Sequence, residues 1–157
     1  MTPLRLLLPL AALLTLGSAQ RDPDAPLPGL WETSFTFVSI DGPGANPRRV
    51  AAVKQYFSTP QVARNCRDQA PPRVGEVRGS GGCTVTALRD SGPNVDREMT
   101  CRPPGVRGSS RVTSIGTQAP TRYDYQVATS HLDEAGDLVY TLTVREQGVR
   151  VGDCTPS

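Results

Sequence analysis

Lysine, histidine and tryptophan are almost missing from this 157-residue sequence, each occurring once, as Lys54, His131 and Trp31. One histidine, with four cysteines that form no Cys-x-x-Cys pair, leaves no set of zinc ligands at a usable spacing and no catalytic dithiol. No Gly-x-Ser-x-Gly elbow is present to expose a nucleophile. The glycine-rich stretch from Gly79 to Gly82 is not followed by Lys-Ser or Lys-Thr, so it is no phosphate loop. Charge of one sign is never blocked: a formal net charge of +2 is spread over interspersed acids and arginines, which excludes the basic stripe of a nucleic-acid-binding surface. Beyond the N-terminus no apolar run approaches the ~20 residues of a membrane-spanning helix.

The N-terminus has a different composition. Arg5 precedes an apolar run from Leu6 to Leu16, and Gly17-Ser18-Ala19 follows before Gln20. A basic start, a short apolar centre and small residues at the end form a secretory signal, expected to be cleaved after residue 19. The remainder is one domain's worth of chain. Residues 20 to 28, with three prolines, are expected to be a flexible leader, 29 to 154 the single domain, and 155 to 157 a tail. The location expected from this is periplasmic or extracellular. Cys66, Cys83, Cys101 and Cys154 are then an even number in an oxidising compartment and are expected to form two disulfides. The favoured pairing is Cys66 with Cys83 and Cys101 with Cys154. The second choice, Cys83 with Cys101 and Cys66 with Cys154, stays open; it ranks lower because directly facing strand neighbours tend to strain a disulfide.

After the signal, valine outnumbers leucine fifteen to six, and fifteen glycines and fifteen prolines punctuate the whole sequence. β-Branched residues between turn residues indicate strands. Strand one is expected from Leu30, with Trp31, Thr33, Phe35 and Phe37 on one face, ending at Asp41-Gly42-Pro43-Gly44. A second strand is expected from Arg49 to Phe57. Thr59-Pro60 then predicts the one short helix, over Val62 to Cys66. A loop is expected over residues 67 to 82, followed by a hairpin of Cys83 to Leu88 and Val95 to Cys101. Further strands are expected at 107 to 116, 122 to 130 and 138 to 147, with a short edge segment from Gly148 to Cys154. The fold class is all-β: an antiparallel up-and-down meander of seven to eight strands, either barrel-like or an open curled sheet.

Candidate chemistry is sparse. His131 lies near Asp133 and Glu134 at a hairpin mouth but has no nucleophile at a motif spacing, so it reads as a turn histidine. Asp133, Glu134 and Asp137 lack the spacing of a calcium loop and read as solvated turn carboxylates. No catalytic residue, metal or cofactor is expected, and the chain is not expected to be an enzyme. The aromatic face of Trp31, Phe35 and Phe37, with Tyr123 and Tyr125, could line a cavity for a small apolar or amphipathic ligand. The alternative is a structural or interaction module that docks to another envelope protein through an exposed strand edge or loop.

Gly29-x-Trp31 at the head of strand one is similar to the opening of lipocalin-like barrels. Together, Pro28-Gly29-Leu30-Trp31-Glu32-Thr33, Thr59-Pro60-Gln61, Gly82-Cys83-Thr84-Val85-Thr86, Met99-Thr100-Cys101 and Gly152-Asp153-Cys154 resemble the domain of unknown function 3617 family of small exported bacterial proteins. The chain departs from it at Phe57, where the family usually has a cysteine, and at Arg97, near which it tends to have a tryptophan. The resemblance implies compartment and fold, and no activity.

Overall fold

A computed structural model describes residues 23–67, 74–78 and 82–154. The expected signal, the first part of the leader and the tail lie outside these residues. Among the described residues eight strands form one antiparallel sheet, with a single helix between the first two. The strands are β1 (Gly29–Asp41), β2 (Gln61–Arg67), β3 (Val77–Arg78), β4 (Cys83–Leu88), β5 (Asn94–Cys101), β6 (Ser109–Ala119), β7 (Arg122–Leu132) and β8 (Leu138–Gly152); the helix is α1 (Pro47–Tyr56). Their order across the sheet is β2-β1-β8-β7-β6-β5-β4-β3. Every pair of consecutive strands is laddered except β2 and β3, and β1 meets β8. The sheet is therefore a meander that curls until its first and last strands join, then stays open where one further ladder would close a barrel.

The expected hairpin appears as β4 and β5, joined through the turn that ends at Asn94. Other expectations are corrected. Residues 47 to 56 are helical, because Asn46 caps the helix by accepting from the Arg49 N–H at 2.9 Å, Pro47 takes the first turn, and Val50 and Val53 follow a spacing of three rather than two. The helix expected from Val62 to Cys66 is instead strand β2, extended against β1 from Gln61↔Phe35 to Arg67↔Gly29. Gln61 turns its side chain back to Tyr56 O and Thr59 O, closing the connection. The segment from Gly148 is no separate edge strand but the end of the central strand β8, paired on both sides. Within the expected loop of 67 to 82, Val77–Arg78 pairs with β4.

The favoured disulfide pairing is also overturned. Cys83 bonds Cys101, which faces it directly across β4 and β5, and Cys66 bonds Cys154 over a Cα separation of 5.7 Å. Strand order decides this. Leu30, near the start of β1, has Cys66 of β2 on one side and Gly152 of β8 on the other, so Cys154 crosses the end of β1 to reach Cys66. Among the described residues no cysteine is free. Two disulfides fit an oxidising, exported environment, and no described helix is long and apolar enough to cross a membrane.

The closed loops span 88 residues for Cys66–Cys154 and 18 for Cys83–Cys101. Loop-closure entropy assigns them about 4.6 and about 3 kcal/mol. Urea unfolding should therefore show Cys66→Ser/Cys154→Ser to be costlier than Cys83→Ser/Cys101→Ser. Peptide mapping of the oxidised protein should recover only these two linkages.

Candidate functional site: a half-filled concave face

Register places alternate residues of the curled sheet on its inner side. Across β6, β7 and β8 the inner rows run Gln118–Tyr123–Gly148, Gly116–Tyr125–Glu146, Ser114–Val127–Val144, Val112–Thr129–Leu142 and Ser110–His131–Tyr140. Strand β1 adds Trp31, Thr33, Phe35 and Phe37, and β5 adds Val95, Arg97, Met99 and Cys101.

One end of this face is packed shut. Trp31 is fully buried and lies with Val95, Tyr123 and Tyr125 in a single cluster. The Trp31 and Tyr123 rings are 5.4 Å apart, and Tyr123 stacks on Tyr125 at 4.6 Å. The indole N–H donates to Leu27 O at 3.0 Å, and Leu27 N donates to Pro120 O, so the second half of the leader is held against the β6–β7 turn. Gly148 makes the stack possible, since a Cβ there would sit 2.1 Å from the Tyr123 ring.

The interior also contains polar groups, and they are paired. The Tyr123 hydroxyl donates to Glu146 Oε1 at 2.9 Å and accepts from Arg67 Nη2 at 2.9 Å. Its one proton being used, Thr33 Oγ1, also 2.9 Å away, must be the donor to it. Burial pushes the Tyr123 hydroxyl above its ordinary range, so it stays protonated and can donate. The Arg67 guanidinium also lies 4.5 Å from the centre of the Tyr123 ring, linking edge strand β2 to the core. Buried Gln118 accepts from Arg97 Nη2 at 2.9 Å and from the Tyr125 hydroxyl at 3.2 Å. Arg97 is thus tied into this network and ion-paired with Asp90.

The other end is different. Ile40, Val85 and Cys101 are buried there, but Phe35, Phe37, Met99, Val112, Leu142 and Val144 remain only half-buried. Interior aliphatic and aromatic side chains of a filled barrel would be excluded from water. The concave face ends in the row Ser110, His131, Tyr140, and a pocket of about 670 Å³ opens at that rim. Its walls come from the segment after β5, including Pro103 and Val106, and from the β7–β8 turn with the strand ends beside it, including Leu132 and Val139. Both volume and mixed lining are in the range of small-molecule sites.

The five residues expected to line a cavity therefore separate. Trp31, Tyr123 and Tyr125 come together as the packed plug. Phe35 lies half-buried on the concave face, and Phe37 pairs with Phe57 at 6.4 Å. None of the five borders the rim pocket. His131 is no isolated turn residue: its Nδ1 is 3.2 Å from Ser110 Oγ and its ring stacks on Tyr140 at 4.4 Å. The nearby carboxylates are used elsewhere. Asp133 accepts from the Ala135 and Asp137 N–H groups, and Glu134 faces Arg107 at 3.4 Å. Among the described residues no group of three or more His, Cys, Asp and Glu could hold a metal ion. Sequence reasoning missed Arg67, Glu146, Ser110 and Tyr140. Only strand alternation marked them as sharing a face, and which face was core depended on the sheet's curl.

These features define an open, curled, disulfide-bonded β meander with one end plugged and one unfilled. A family model described as "Protein of unknown function (DUF3617)" matches residues 26–154, and the chain belongs to that family. No curated protein and no solved structure matches it.

Substituting Gly148→Ala should displace the Tyr123 ring and cost about 1–3 kcal/mol in denaturant unfolding. Gly152→Ala, with nothing within 4 Å of the added Cβ, should be close to neutral.

Burial, reinforced by the Arg49 charge, holds His131 below its ordinary 6.5. As pH falls through 6.5 the unfolded chain takes up a proton that the native chain refuses, so stability falls. NMR titration of this single histidine should give a midpoint below 6.5, and His131→Asn should flatten that part of the stability profile.

Proposed function

We propose that this is a non-catalytic binding protein of the bacterial cell envelope, periplasmic or extracellular, that seats a small amphipathic molecule on its concave face. The apolar part of the ligand lies along Phe35, Phe37, Met99, Val112, Leu142 and Val144, and its polar part at the rim of Ser110, His131 and Tyr140. One observation carries this reading: inner-face apolar side chains stay half-exposed beside a pocket of about 670 Å³. Apolar surface left uncovered on the inside of a curled sheet is stabilised when a ligand removes it from water, at about 25 cal/mol per Å². Packing at the Trp31 end supports the reading too, since a rigid plug holds the open end in shape without a ligand.

A second reading, docking of another envelope protein, is favoured by strand β2, which among the described strands pairs with β1 alone. That edge is short and carries exposed Arg64 and inward-pointing Arg67, features that discourage pairing with a further strand. Ligand binding therefore ranks first.

Native mass spectrometry of the mature protein purified from its own host tests the choice. A retained small molecule, lost in the cavity-filling variant Leu142→Trp while the fold persists by circular dichroism, is expected. A bare mass, together with one dominant protein partner on crosslinking, would overturn ligand binding in favour of docking.

A further inference from the structure

Helix α1 is attached to the concave face at its ends and hardly in between. None of its residues is buried, and Val50 and Val53 are the only two that are even half-covered. At its first turn Arg49 lies 4.6 Å from the centre of the Tyr140 ring, at the rim, and Nη1 donates to Gly44 O at 2.6 Å. At its C-terminus Phe57 meets Phe37 of the inner face. These contacts put the helix across the unfilled end, on the side where the pocket opens. The entering segment turns at Gly42, whose φ of 114° belongs to glycine, and is held to β8 by Gly44 N donating to Val139 O at 2.6 Å.

A helix with a buried stripe is fixed by packing, whereas ten residues without one are marginal in water and depend on their end contacts. We infer that α1 is a lid over the half-filled concave face, latched at the rim by Arg49 on Tyr140. This rests on the ligand-binding reading, in that the lid governs entry to that same site. Its opening is local, in the low-stability range from which lids are drawn, while β6 to β8 stay folded.

Two measurements on the oxidised mature chain test it. Hydrogen exchange without ligand should show the α1 amides from Val50 to Tyr56 protected at least about tenfold less than the central amides of β6 to β8. Equal protection would overturn the lid. Stopped-flow binding of 1-anilinonaphthalene-8-sulfonate should be about two- to fivefold faster in Arg49→Ala, the factor expected from losing one exposed cation–π contact. Arg49→Lys should restore most of the wild-type rate, and Lys54→Ala should leave it unchanged. Probe binding at the same rate in all four proteins would refute the latch. No probe binding in the wild type would count against the ligand-binding reading, and the exchange result would still decide whether the helix opens.

Discussion

The rest of the structure depends on the ladder between β1 and β8, which joins the first strand of the domain to the last along eleven register pairs from Leu30↔Gly152 to Asp41↔Thr141. Neighbouring strands of a meander form locally, but this ladder must close a loop of about a hundred residues before it gains anything. Once formed, it brings Trp31 and Thr33 over Tyr123 and leaves β2 and Cys154 close enough to be bridged. Without it the sheet would have no inside.

The inside is asymmetric because its two ends are built from different side chains. Towards the β6–β7 turn, three aromatic rings pack together, Tyr123 stacked on Tyr125 and tilted against Trp31, helped by Gly148 where the Tyr123 ring needs room. Hydroxyl, guanidinium and carboxylate groups there are matched donor to acceptor, so burying them is not penalised as burial of unpaired polar atoms would be. Towards the β7–β8 turn the rows of β6 to β8 carry mostly Val, Thr, Leu and Ser, with His131 and Tyr140 at the rim, and their apolar side chains stay half-exposed. What covers that end is α1, lying on Tyr140 and Phe37 rather than filling the space.

Much of the architecture was legible along the chain. Valine-rich alternation between turn clusters gave the strands from Cys83 onwards, because antiparallel neighbours joined by short turns record their pairing in the local pattern. The segment from Pro47 to Arg67 was misread in both halves. Val50, Val53, Tyr56 and Phe57 suit a strand by composition, and the decisive cues were Asn46 as cap and Pro47 at the first turn. Thr59-Pro60 looked like a helix start, but Gln61 to Arg67 had an unpaired edge of β1 to extend along, and ladder hydrogen bonds outweigh a weak helical propensity. The disulfides were misassigned for a related reason: chain separation says nothing of a β8 that returns to lie beside β1.

By itself the sequence determined the class of structure, since β-branched alternation, glycine and proline punctuation and four cysteines behind a signal-like N-terminus are local properties of the chain. It also picked out Trp31, Tyr123 and Tyr125 as residues that belong together. Tertiary structure alone decided that these rings plug one end rather than line a cavity, that Cys66 bonds Cys154, and that a helix covers the unfilled end. The physical reason is that each outcome depends on which strand lies next to which after the sheet has curled, a relation between distant segments that no local pattern encodes.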